Sequence, residues 1–275
     1  INSFWEQRIL DKYWNNSGLI GHPLFKVPDL AQGRIGYINS SSRQVVSNSA
    51  FSWDYPHNTY YMMSYYKTAL WLQTMMGIVG EETTNNIFRE YYKKWAFRHP
   101  SARDFTDVAS EVVRRDHGDE FGQDMNWFFD QTLYGTGICD YRVSGISNLK
   151  QHKPEGKVDT EAFDASGAVY SDSLYTAVAQ LERIGEVMLP VDVLIHFTNG
   201  DEITEKWDGK SRFKDFIYPG YREIQWVKID PEFKISMDVN YINNSMTTEP
   251  DIIPVRRLIN KFISFLQFFL SVILL

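Results

Sequence analysis

The sequence predicts an α+β fold, with a helical first half, a small antiparallel β-sandwich and a C-terminal apolar helix. Three observations carry this. Up to about residue 139, apolar residues recur at the alternating three- and four-residue spacing of helices with one buried face. From Asp140 the pattern changes to short alternating runs separated by turn residues, as in antiparallel sheets. The last 18 residues, LINKFISFLQFFLSVILL, are dominated by apolar side chains.

The first element is a short amphipathic helix over Ser3 to Trp14. A looser stretch rich in Asn, Ser, Gly and Pro follows to about Tyr60, with Asn39-Ser40-Ser41-Ser42 as a loop. The clearest helix spans Thr59 to Val79. Met62, Tyr65, Ala69, Leu72, Met76 and Val79 form its buried stripe, and Gly80 is its C-cap. Another helix begins at Thr84 and is stopped by Pro100, because proline disfavours helix in the residue before it. Two more cover Asp104 to Arg115 and Gln123 to Leu133.

Strands are expected at Tyr141–Ile146, Leu174–Glu186, Met188–Phe197, Ile203–Trp207, Glu223–Ile229 and Phe233–Val239. Gly185 marks a bulge or kink, and Asn199-Gly200 a hairpin turn. The expected division is therefore a helical part over 1–139, a β-sandwich over 140–245, a polar linker over 246–257 and an apolar segment over 258–275. As a helix the last segment extends about 27 Å, close to a bilayer core. It is expected to begin a transmembrane helix, with a membrane-interfacial helix as the alternative. The protein would then be membrane-associated, on a side that the flanking Arg256, Arg257 and Lys261 do not fix. Ile1 in place of Met, and an apolar run that stops at Leu275, suggest a piece of a longer protein.

Composition narrows the chemistry. A net charge of −7 argues against nucleic-acid binding, although aromatics make up 15% of the chain. The single Cys139 excludes an internal disulfide and a cysteine zinc cluster, and reads as a buried, inert thiol. The six histidines are His22, His57, His99, His117, His152 and His196. No two lie at helical i,i+3 or i,i+4 spacing, so there is no HExxH ligand pair. His117 with Asp116, Asp119 and Glu120 reads as a solvated loop rather than a metal site, and His196 as a residue on one face of a strand. There is no Gly-Xaa-Ser-Xaa-Gly elbow, and Gly135-Thr136-Gly137 leads into a strand rather than a helix.

Several segments, in order, resemble the gluzincin zinc aminopeptidases of family M1. Ser64-Tyr65-Tyr66-Lys67-Thr68-Ala69-Leu70 resembles that family's Tyr-Xaa-Lys-Gly-Ala helix start, with Thr68 in place of glycine. Tyr91 to Pro100 with Asp104-Phe105, and Trp127 to Gln131 with Tyr134 to Gly137, resemble the end of its catalytic domain. Asp192 to Phe197, Trp207-Asp208-Gly209 and Asp238-Val239-Asn240 resemble the small β-domain that follows. The resemblance implies that 1–139 is the C-terminal helical part of a thermolysin-like catalytic domain. It also implies a peptide substrate and a zinc ion whose ligands and general base lie outside this chain, before Ile1.

By its place in the motif, Tyr65 is the catalytic residue, a tyrosine donating a hydrogen bond to the tetrahedral intermediate. Spacing alone makes Tyr65 an ordinary core aromatic on the helix stripe. Tyr61 and Tyr66 are the alternatives if the register differs, while Arg98 and His99 are cleft candidates with a helix-end role as the simpler reading. The implied activity is aminopeptidase-type peptide hydrolysis by the longer protein. The alternative is a catalytically dead binding or scaffold module.

Overall fold

A computed structural model describes residues 1–22, 25–40, 43–56, 59–150, 175–250 and 252–273. Of the six histidines, His57 and His152 lie outside them. The helical half contains α1 (Asn2–Tyr13), α2 (Asp29–Ile38), α3 (Thr68–Val79), α4 (Glu81–Trp95), α5 (Ala102–His117) and α6 (Asn126–Thr132). A short hairpin of β1 (Ile20–His22) and β2 (Phe25–Val27) joins α1 to α2. A 3₁₀ turn, Ser52–Asp54, and a π-helical segment, Met62–Lys67, precede α3.

Capping is explicit at α5. Ser101 and Asp104 form a reciprocal capping box, and Arg114, Arg115 and His117 occupy the last turn, where positive charge meets the negative end of the helix dipole. His117 also stitches two helix ends together. Its Nε2 lies 2.9 Å from Thr83 Oγ1 and 3.0 Å from the Val79 carbonyl.

The β half is built from β3 (Tyr141–Lys150), β4 (Tyr175–Arg183), β5 (Val191–Phe197), β6 (Glu202–Trp207), β7 (Phe213–Tyr221), β8 (Ile224–Ile229) and β9 (Ser245–Thr247). These form a three-stranded sheet, β3-β4-β7, and a four-stranded sheet, β6-β5-β8-β9, antiparallel throughout. β5 alternates strictly: Val191, Val193, Ile195 and Phe197 are buried while the residues between them are half-buried. That is the pleat expected of a strand with one face on the core. The β5–β6 connection turns at Gly200, whose φ of +91° suits glycine.

The expected strand at Phe233–Val239 is instead a strap. Asp230 has φ +49° and its buried carboxylate accepts the N–H groups of Lys234 and Ile235, both at 2.8 Å, closing a turn. The strap then runs back over the helical half. Ile235 and Met237 are buried, and the Met237 N–H donates to Thr74 Oγ1 on α3. Arg34 of α2 donates to the Asp238 carbonyl, with its guanidinium 3.5 Å from the centre of the Tyr241 ring. One apolar cluster consequently runs through both halves, from Phe4 to Met237.

The strap packs tightly on α3 at Gly77. A Cβ there would sit 2.4 Å from the Lys234 carbonyl oxygen and 2.8 Å from its Cα. Backbone cannot yield as a flexible side chain does, so Gly77→Ala is expected to destabilise by about 2 kcal/mol. Urea denaturation checks this; an unchanged midpoint would show that the strap does not bear on α3. Gly185 plays a similar part rather than forming a bulge, since its Cβ would lie 2.2 Å from the Ile138 carbonyl oxygen.

The C-terminal run requires a correction. It lies in α7 (Ile252–Ile273), and among the described residues no helix is long and apolar enough to cross a membrane. Arg256, Arg257, Asn260, Lys261, Ser264, Gln267 and Ser271 interrupt the apolar sequence at every turn. The expected transmembrane start over 258–275, and the membrane localisation drawn from it, are therefore withdrawn.

Candidate functional site

Tyr65 stands in the π-helical segment Met62–Lys67, directly ahead of α3. A π turn contains one residue more than an α turn, so the residues before it are rotated relative to the stripe that follows. Met62 and Met63 are both buried, whereas Tyr65 leaves the core face and is half-exposed. The core-aromatic role that spacing alone suggests is thus not the one this backbone gives it.

Asn48 holds the π turn. Its Nδ2 donates to the Met63 carbonyl at 2.9 Å, a group that also accepts from Thr68 Oγ1 at 3.3 Å. Asn48 Oδ1 accepts from Thr68 Oγ1 at 3.1 Å and from the indole N–H of buried Trp71 at 2.9 Å. Thr68, where the resembled motif has glycine, therefore supplies part of this network. Asn48→Ala leaves the Trp71 N–H without its acceptor and is expected to cost about 2 kcal/mol. Thermal denaturation measures that cost, and a changed tyrosine signal in the near-ultraviolet circular dichroism would report relaxation of the π turn. Retention of both would remove Asn48 from this role.

Tyrosines surround Tyr65. Tyr61 stacks on it at 4.6 Å with 22° between the rings, and Tyr60 meets it edge-on at 6.1 Å. Tyr61 also meets Tyr66 edge-on at 5.4 Å, and Tyr55 meets Tyr60 at 6.1 Å. A hydrogen bond with the Tyr60 phenol, followed by the field of that phenol, raises the pKa of Tyr65. Its hydroxyl stays neutral near pH 7, where a phenol both donates and accepts. Tyr66 is committed elsewhere. Its ring lies on the glycine face of α2, where a Cβ on Gly36 would come within 2.6 Å of the ring.

Lys67, the third residue of the motif, is fully buried. Its Nζ donates to the Gly135 carbonyl at 3.1 Å, and burial pushes its pKa down to about 8. The loop after α6 is thereby tied to the start of α3. Sequence reading gave no role to this lysine, although a cation between apolar helix positions was visible.

The other candidates do not join Tyr65. Arg98 and His99 are exposed on the turn after α4, and Arg98 lines a groove with Trp5, Phe88 and Trp95 that does not include Tyr65. Asp116 pairs with Arg115 at 2.8 Å, and Asp119 lies 3.7 Å from Arg114. His196 lies flat on Trp226 at 4.8 Å, with Glu202 3.1 Å from its Nδ1. Cys139 is completely buried, which pushes its thiol pKa well up. Among the described residues no three His, Cys, Asp or Glu side chains are grouped to hold a metal ion.

No protein-family model matches the chain, and comparison with curated proteins returns no match. Among solved structures, the chain is similar to Legionella pneumophila aminopeptidase A, solved in complex with aspartic acid. The TM-score is 0.39 at 9% identity, over 64% of this chain and 17% of that one. This chain thus spans about a sixth of that enzyme's length, and at that score the likeness carries no argument.

Proposed function

We propose that this chain is the tyrosine-bearing part of a zinc-dependent, aminopeptidase-type peptide hydrolase, with residues 1–139 belonging to a thermolysin-like catalytic domain. The observation that supports the reading is the presentation of Tyr65. It is a neutral, half-exposed phenol, displaced from the core by a π turn, within the Tyr-Xaa-Lys segment of the resembled motif. A donor of this kind stabilises negative charge developing on a carbonyl oxygen without itself ionising.

The described residues do not fit a zinc ion, because no grouping of three ligand-type side chains exists among them. In this reading the metal and the general base belong to residues outside this chain, and the part played here is to position the phenol over the substrate carbonyl. The test uses the full-length protein with an aminoacyl reporter. Activity that is lost to a chelator and regained with zinc supports the reading. The 275-residue chain alone is expected neither to bind zinc stoichiometrically nor to cleave the reporter. A zinc-loaded full-length protein without peptidase activity would favour a binding or scaffold module instead.

A further inference from the structure

Tyr60 and Tyr65 stand five residues apart, a spacing that in an α-helix places two side chains about 140° apart around the axis. Only pairs at i,i+3 and i,i+4 share a face there. The segment Met62–Lys67 is π-helical instead, and a π turn closes i→i+5. The extra residue brings the two rings together. Tyr60 meets Tyr65 edge-on, with centroids 6.1 Å apart and 80° between the planes. The insertion that turns Tyr65 out of the core therefore also supplies it with a phenol neighbour.

Both members of this pair are fixed from one residue. Asn48 Nδ2 donates to the Met63 carbonyl at 2.9 Å and so holds the π turn that presents Tyr65. The Asn48 backbone carbonyl accepts from the Tyr55 phenol at 3.0 Å, and the Tyr55 ring packs edge-on against Tyr60 at 6.1 Å. The backbone ahead of Tyr60 is anchored as well. Thr59 is buried, and its N–H and hydroxyl both donate to the Pro56 carbonyl, at 3.0 and 2.7 Å. The two phenols are hydrogen-bonded, and the bond raises the Tyr65 pKa. That sign belongs to a donor. Ionising Tyr65 would forfeit the bond, so the Tyr65 O–H donates and the Tyr60 oxygen accepts.

We propose that Tyr60 is the positioning residue for Tyr65 and acts on the substrate only through it. The inference rests on the peptidase reading. At rest the Tyr60 oxygen holds the Tyr65 O–H. As negative charge develops on the substrate oxygen, the Tyr65 O–H turns to that oxygen and the Tyr60 O–H turns to donate to Tyr65. Two hydroxyl rotations suffice. No proton leaves either phenol, because each can donate and accept while neutral. A hydrogen bond accepted by the Tyr65 oxygen polarises the one that Tyr65 donates, which strengthens it as the charge grows.

Kinetics of the full-length protein and a tyrosine titration of the 275-residue chain test this together. Tyr60→Phe keeps the ring and its edge contacts with Tyr55 and Tyr65. It is expected to lower kcat about fivefold with KM unchanged. In a Tyr65→Phe background the same substitution should change kcat by less than about twofold, since its only route to the reaction is gone. In the chain isotopically labelled at tyrosine Cζ, the magnetic resonance signal that Tyr65→Phe removes is that of Tyr65. Tyr60→Phe should move its titration to lower pH, a change that a purely structural role would not produce. An equal fall in kcat in both backgrounds, a rise in KM in place of the fall in kcat, or a Tyr65 titration that Tyr60→Phe leaves in place would overturn the proposal. A full-length protein without peptidase activity would overturn the peptidase reading and this role with it. The titration needs no substrate, so it separates that outcome from the absence of a phenol pair.

Discussion

Tyr65→Phe in the full-length protein is expected to lower kcat for peptide hydrolysis by a factor on the order of 10² to 10³, with little change in KM. The asymmetry follows from the role. A phenol that donates to an oxygen only as charge develops there stabilises the transition state and not the bound substrate. The ring survives the substitution, so its stack on Tyr61 at 4.6 Å and its edge contact with Tyr60 are kept. The thermal midpoint should move by no more than the loss of the solvent-accessible hydrogen bond to the Tyr60 phenol, which separates lost chemistry from lost structure. A kcat within about threefold of the parent would remove Tyr65 from the reaction.

Lys67→Met is expected to change stability by as much as Gly77→Ala or Asn48→Ala, but in a direction opposite to that of most core substitutions. Lys67 is fully buried, with one described hydrogen bond, and its pKa falls from 10.5 to about 8. Below pH 8 the folded state carries a buried charge that the unfolded chain solvates freely. Between pH 8 and 10.5 the unfolded state binds the extra proton, so stability rises with pH across that window. The shift corresponds to a gain on the order of 3 kcal/mol. Methionine fills similar space without a charge. The variant should be more stable than the parent at pH 7 by about 2 kcal/mol, once the lost bond to the Gly135 carbonyl is set against the relieved desolvation. It should also lack the parent's rise between pH 8 and 10.5. Denaturant titrations at pH 7, 8.5 and 10 decide the matter, and a variant with the parent's pH slope would refute the account.

The helical elements were legible where period and punctuation agreed. α4 and α5 carry apolar residues at helical spacing with clear ends, and their observed bounds lie within a few residues of the expected ones. α2 was missed because Gly33 and Gly36 weaken its local helical signal. Both glycines face the Tyr66 ring, a contact that is invisible until the elements are packed. β7 was missed as well, and Pro219 and Gly220 interrupt its alternation. Conversely, Phe233–Val239 alternates like a strand because Ile235 and Met237 are buried, yet the Lys234 and Ile235 N–H groups go to Asp230 and that of Met237 to Thr74, and the segment's strand-like pairing is an isolated bridge between Cys139 and Asp238.

The candidate site divides along the same line. The sequence by itself determined the mixed helical and β composition, the change of pattern near residue 140, the lack of a local zinc-ligand pair and the place of Tyr65 in a recognisable segment. Only the tertiary structure decided which way Tyr65 faces. The reason is that a π turn costs an unpaired carbonyl, and the group that answers it, Asn48, lies 15 residues away from Met63 in the chain. Side-chain period reports local geometry faithfully only while the backbone hydrogen bonds stay local. At Met63 they do not, and the phenol is turned out of the core by a partner that no local pattern encodes.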